Sequence, residues 1–188
     1  LLLLFVIFPI FILNAEIIPK PIIEGDKNSK VKILVYESLT CSYCASFHEK
    51  IYPRLKSEFI DKSLVFIEFK SFPLDLAALS ASKLAHCNES SNRKVLSLLF
   101  KNQNEWIKGE NIDELNSNLI KFLKNNNITL NFDECLNNEN LEKFVLEERI
   151  EGSSKFKVNS TPTIIINNKR FEKSLTYKNL KKAIEKLL

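Results

Sequence analysis

The stretch VKILVYESLTCSYCASFHEK, residues 31–50, decides the fold. Val31 to Glu37 are mainly aliphatic and β-branched, and they predict a buried strand. Ser38, Leu39 and Thr40 lead to Cys41, where a helical pattern begins. Phe47, Ile51, Leu55 and Phe59 recur every four residues and so share one helix face. Pro53 sits inside that pattern and should kink or split the helix, because proline lacks the N–H and its ring crowds the preceding turn. Leu64 to Phe69 (LVFIEF) reads as a second strand. Strand, C-x-x-C, helix and strand together make a βαβ unit with Cys41 and Cys44 at the helix start.

Outward from this unit the period changes. From Pro73 to about Gly152 it is helical: Leu84 and Cys87 share a face, then Val95, Leu99 and Trp106, then Ile112, Leu115, Leu119, Phe122 and Leu123. Asn125 to Asn127 break the third helix, and Cys135 opens a further helical stretch with Leu141, Phe144 and Val145. Strand character returns at Thr163 to Ile166. Asn167-Asn168 predicts a hairpin turn, since Asn tolerates left-handed geometry, and Phe171 begins the returning strand. Thr176 can cap a last helix whose Leu180, Ile184 and Leu187 face inward. The order βαβ, helices, ββα predicts an α/β fold. Segments 16–73 and 152–188 assemble a small sheet flanked by helices, and 74–151 form an all-helical insertion.

Composition narrows the function. The chain has 188 residues, 45% hydrophobic and 27% charged, which is the globular range. Its 27 basic and 23 acidic residues leave a net charge of +4, too small and too dispersed for a nucleic-acid binder. Neither G-x-G-x-x-G nor G-x-x-x-x-G-K-[ST] occurs, so glycine-rich phosphate loops are excluded. The frequent Asn and Lys read as base composition rather than as a physical signal. Leu1 to Leu13 carry no charge and would span about 20 Å as a helix, short of the roughly 30 Å of a bilayer core. Residues 1–15 are therefore expected to be a secretory signal ending at Ala15, with an uncleaved anchor or a core strand as alternatives. No later run approaches transmembrane length.

Export alters the meaning of the four cysteines, because an oxidising compartment favours two disulfides. Of three pairings, spacing singles out Cys41 with Cys44, leaving Cys87 with Cys135. A helix N-terminus supplies unpaired N–H groups and about half a positive charge, which stabilises a thiolate relative to a free thiol of pKa about 8.5. Cys41, the first and more exposed cysteine, would exchange with substrate. Cys44, one turn later on the same face, would be its buried partner. The alternatives are a structural disulfide or half of a zinc site completed by Cys87 with His48 or His86. No second C-x-x-C or H-x-x-x-H supports the zinc site. In Ser160-Thr161-Pro162-Thr163 a proline wastes a ladder donor just before a central strand, so the position needs a reason.

Four segments together resemble the DsbA family of exported thiol–disulfide oxidoreductases, in its alphaproteobacterial-type branch. They are ESLTCSYCASFH (37–48), FPLDLAALSASKLAHC (72–87), FDECL (132–136) and KFKVNSTPTIIINNKRF (155–171), and the resemblance extends over about residues 25–188. It implies a thioredoxin-like fold with an inserted all-helical domain, Cys41 as nucleophile and Cys44 as its partner. Ser42 and Tyr43 would lie between them, with Thr161 and Pro162 in support. The resemblance places Pro162 in cis against the disulfide, leaving the Thr161 backbone free to pair with an extended substrate. It makes Cys87–Cys135 a structural disulfide. It implies no metal or cofactor, unfolded or reduced exported proteins as substrates in the periplasm, a membrane DsbB-like reoxidant, and a monomer.

The sequence departs from the family twice. Tyr43 stands where a histidine often precedes the second cysteine, and Val35 stands where a buried carboxylate often lies six residues before the nucleophile. Glu37 shares the face of Val35 by strand alternation and is the candidate proton relay. His48, four residues after Cys44 on the same helix face, is expected at the surface, with tuning of the site as the alternative; His86 is expected at the surface and Trp106 in the helical core. The expected function is introduction of disulfides into exported proteins. The alternatives are an isomerase or reductase of the same fold, disfavoured because only about 15 residues separate the signal from the first strand, and a non-enzymatic disulfide-stapled binding domain.

Overall fold

The computed structural model describes residues 17–88, 90 and 92–188; the leader expected over 1–15 lies outside the described residues. Strand β1 is Ile22–Glu24, β2 Val31–Glu37, β3 Val65–Ser71, β4 Thr163–Ile166 and β5 Lys169–Arg170. They form one sheet in the order β1-β3-β2-β4-β5. Central β2 and β3 run parallel, with Val31 opposite Val65 and Glu37 opposite Ser71. The other pairs are antiparallel.

A parallel pair needs a crossover. Here it is α1 (Ser42–Lys50), α2 (Tyr52–Leu55) and a π-helical turn over Lys56–Ile60. The break at Ile51 agrees with the reading of Pro53, which occupies the first turn of α2, where its missing N–H costs nothing. Phe47, Ile51, Leu55 and Phe59 are all buried. Helices α3 (Leu76–His86), α4 (Asn92–Lys101), α5 (Gln103–Trp106), α6 (Ile112–Asn125), α7 (Phe132–Asn137) and α8 (Glu139–Phe156) separate β3 from β4, and α9 (Tyr177–Glu185) closes the chain.

Side chains with a physical task account for part of the Asn content. Asn111, Asn131 and Asn138 cap α6, α7 and α8, accepting hydrogen bonds from the N–H groups of Glu114, Glu134 and Leu141. Asp75 and Thr176 do the same for α3 and α9. Asn167 and Asn168 turn the β4–β5 hairpin at φ 45° and 64°. Reading Asn as base composition alone was therefore wrong.

The two faces of β2 pack against different layers. Val31, Ile33 and Val35 join a cluster that includes Phe47, Phe69 and Ile164 and extends to Leu99, Trp106, Leu119 and Leu123 of the helices. On the other face Tyr36 packs with Phe72, Phe156, Val158 and Ile165. Helix α8 reaches this second face and ends there. At Gly152 an added Cβ would lie 2.7 Å from the Tyr36 ring, so the glycine permits close approach of helix and sheet.

Several expectations are corrected. The helical pattern does not stop near Gly152 but runs to Phe156, because that glycine serves packing rather than termination. Strand β1 went unread, since three residues give no usable period. The returning strand starts at Lys169, although Phe171 still donates its N–H to the Ile164 carbonyl at 2.9 Å. Leu187 lies beyond the end of α9 and is exposed.

Candidate active site

The carboxyl end of β2, at the sheet centre, delivers the chain to the site. Cys41 is the N-cap of α1, with extended backbone (φ −81°, ψ 119°), and its carbonyl accepts from the N–H groups of Cys44 and Ala45 at 3.1 Å each. Cys41 is partly exposed and Cys44 is buried; both are free thiols. The Cys41 thiol donates to the Thr161 carbonyl at 3.3 Å, and the Thr161–Pro162 peptide is cis. Chain segments 120 residues apart thus meet at one sulfur.

The two thiols differ sharply. Cys41 is lowered to about 5, chiefly by a hydrogen bond from the Cys44 thiol. Burial opposes this, while the Thr161 side chain and the N–H groups of Cys44 and Tyr43 add to it. Cys44 is pushed up, first by burial, then by its hydrogen bond to Cys41 and the nearby Glu37 charge. At neutral pH such a pair holds one reactive thiolate and one protonated reserve.

Of the other residues singled out from sequence, Ser42 and Tyr43 face solvent on the first turn of α1, with Tyr43 77% exposed. Cys87 and Cys135 are disulfide-bonded with Cα atoms 5.8 Å apart, joining the end of α3 to α7. Trp106 is fully buried and donates its indole N–H to the Leu99 carbonyl at 2.9 Å. Glu37 is buried below the site, and its Oε2 lies 2.7 Å from Nε2 of His48.

The surface placement expected for both histidines fails. The side chain of His48 is only 8% exposed, stacked on Phe100 of α4 with ring centroids 4.2 Å apart. His86 is 1% exposed. Its Nδ1–H donates to the Lys20 carbonyl at 2.7 Å, and its Nε2 accepts from the Ser71 hydroxyl at 3.0 Å. Burial lowers His86 to about 4, so it sits neutral. In each case the covering group comes from a distant segment.

Sequence reasoning also missed residues of the helical block that hold the loop before Cys41. Gln103 of α5 donates to the carbonyls of Leu39 and Cys41 at 2.8 and 3.1 Å. Thr40 donates to Asp75 at 2.7 Å. The capping pattern at Asp75 was available as a signal; nothing local marks Gln103. Among the described residues no group of three or more His, Cys, Asp or Glu is placed to hold a metal, and no helix is long and apolar enough to cross a membrane.

Known proteins resemble this chain in sequence and in overall fold. The thioredoxin family model matches residues 18–186. A Rickettsia prowazekii protein, provisionally named a protein-disulfide oxidoreductase, is 25% identical over 166 residues, which are 87% of this chain and 60% of that one. The chain thus spans less than two thirds of the length of such rickettsial relatives. Disulfide bond formation protein D of Bacillus subtilis is 27% identical over 177 residues, covering 87% of this chain and 75% of that protein. Among solved structures, Wolbachia pipientis alpha-DsbA1 superposes with a TM-score of 0.80 at 24% identity, over 90% of this chain and 92% of that one. BdbD from Bacillus subtilis, oxidised, gives 0.70 at 21%, over 90% and 95%.

Proposed function

Because the chain belongs to the thioredoxin family and has its fold with a helical insertion, we propose that it is an exported thiol–disulfide oxidoreductase that introduces disulfides into secreted or periplasmic proteins. The observation that carries this reading is the asymmetric pair: Cys41 is lowered to about 5 beside the cis Thr161–Pro162 peptide, and buried Cys44 is raised. Relatives named for disulfide bond formation support it.

The mechanism follows from that asymmetry. In the oxidised form a substrate thiolate attacks Cys41 Sγ, the exposed sulfur. The Cys41–Cys44 bond breaks, its electron pair leaves on Cys44, and a proton reaches Cys44 because burial disfavours its thiolate. Glu37, whose charge acts on Cys44, is the candidate relay for that proton. The substrate's second thiolate then attacks its own sulfur in the mixed disulfide and expels Cys41 as a thiolate, a good leaving group at its lowered pKa. The Thr161 backbone lies beside Cys41 and can pair with an extended substrate. Reoxidation falls to a membrane DsbB-like partner, which accepts the electrons.

Oxidised chain mixed with a reduced, unfolded protein tests this. The expected result is stoichiometric transfer of one disulfide, abolished by Cys41→Ser and by Cys44→Ala, each of which leaves no Cys41–Cys44 bond to exchange. A Cys41 that resists alkylation at pH 6, with no disulfide transfer, would refute the proposal.

A further inference from the structure

We propose that a groove between β5 and α9, at the end of the sheet remote from Cys41, binds a single-chain anionic amphiphile, a long-chain fatty carboxylate. The inference stands apart from the function proposed above and adds a ligand site to it.

The charge of the chain is not dispersed, as composition alone suggested. Residues 167–188 carry seven cations and two anions, a net charge of +5, against +4 for all 188 residues. The rest of the chain is close to neutral. The fold gathers this excess around one concavity of about 580 Å³, within the usual range of small-molecule sites. Its rim includes Lys169 of β5, Lys173 of the following loop, Lys182 of α9 and Lys186 just beyond it. All four lysines are exposed. The two anions of the segment are already engaged, Glu172 by Arg170 at 3.5 Å and Glu185 by Lys181 at 3.8 Å. Among the described residues, none of the four rim lysines has a carboxylate within ion-pair reach.

The floor is apolar. Ile166 of β4 is buried, and Phe171 and Ala183 are half-buried, packed against the main core on one side. Leu187 also lines the groove and is 37% exposed. Lysine stems can lie along such a floor while their ammonium groups stay in water.

Cations without carboxylates over an apolar floor call for a ligand with one anionic group and one apolar tail. A free anion would leave the floor bare, and a neutral alkyl chain would leave the lysines unpaired. A bilayer surface is flat and does not enter a groove between a strand and a helix. A polypeptide added as a strand needs an edge to pair with, and β5 offers two residues.

The strand register keeps the groove away from the thiols. Ile166 pairs with Ile33 near the start of β2, whereas Thr163 pairs with Tyr36 near its end, from which the chain runs to Cys41. Ile33 to Glu37 is about 13 Å of strand. A ligand in the groove therefore leaves Cys41 open to substrate.

Calorimetric titration with dodecanoate, kept below its micelle concentration at low ionic strength, tests this. One molecule should bind per chain, saturably. Each buried methylene is worth about fourfold in affinity, so decanoate should bind roughly tenfold more weakly. Dodecyltrimethylammonium, with the same tail and the opposite charge, should not bind. At about fivefold per lysine, Lys182→Glu with Lys186→Glu should weaken dodecanoate about thirtyfold or more. Ala183→Phe, which fills the floor, should abolish binding in a chain still folded by circular dichroism. Disulfide transfer should match wild type in both variants. Unchanged affinity in the lysine variant overturns the proposal, even where Ala183→Phe fails to fold. So does equal binding of dodecyltrimethylammonium. Binding to phosphatidylglycerol vesicles without saturable binding of monomeric dodecanoate also overturns it, and would make this face a membrane-docking surface instead. A chain that transfers no disulfide would refute the oxidase reading and leave these titrations unaffected.

Discussion

Replacing Cys87 and Cys135 together with Ala should cost the fold much and the chemistry little. The bond joins residues 48 apart in sequence. On the chain-entropy relation, opening a loop of that length returns about 14 cal/mol/K to the unfolded chain, or about 4 kcal/mol at 25 °C. For a domain of this size each kcal/mol moves the melting midpoint by roughly 2–4 °C, so a fall of about 10 °C is expected. The site should be spared because α3 intervenes. Cys87 caps its far end, whereas Asp75 at its near end holds Thr40. The 11 residues of α3 place about 16 Å between these ends. Thermal unfolding by far-ultraviolet circular dichroism measures the first effect, and initial rates of disulfide transfer at 15 °C the second. A midpoint lowered by less than about 2 °C would refute the loop-closure reasoning. Lost transfer in a variant still folded at the assay temperature would refute the separation of roles.

Tyr43→His should lower the Cys41 thiol below about 5 and make the pair more oxidising, because the exposed Tyr43 side chain supplies no charge and only its N–H acts on the sulfur. Thiolate absorbance near 240 nm against pH, with the glutathione equilibrium, checks both, and an unchanged or raised value would show that this position does not set the potential. Gly152→Ala should destabilise the chain by about 1–3 kcal/mol in urea unfolding, since the new Cβ meets a Tyr36 ring already confined by Phe72 and Phe156. For His86 the folded value, about 4, lies below the ordinary 6.5, so its contribution is present above pH 6.5 and lost as pH falls through 4. Glu148 works oppositely: burial raises it to about 7, so its contribution is present below its ordinary range and lost as pH rises through 7. The stability of wild type relative to His86→Gln isolates the histidine and should fall by at most about 3 kcal/mol between pH 7 and 4.

What the sequence by itself determined was local. The β2 strand, the two cysteines at the start of α1, the break at Pro53 and the Asn167-Asn168 turn are each specified by side chains within a few residues, through alternation, a missing N–H or tolerance of positive φ. What only the tertiary structure decided is non-local. His48 and His86 look like surface residues on their own helices. They are buried because Phe100 of α4 stacks on one, while Lys20, Ser71 and the ring of Phe144 surround the other. Gln103 and Asp75 brace the cysteine loop from helices whose own pattern names no target. Strand β1 exists because β3 offers a free edge, with Ile22 set opposite Phe69. Periodicity reports which face of an element is apolar, whereas burial of a polar side chain depends on which distant element covers that face.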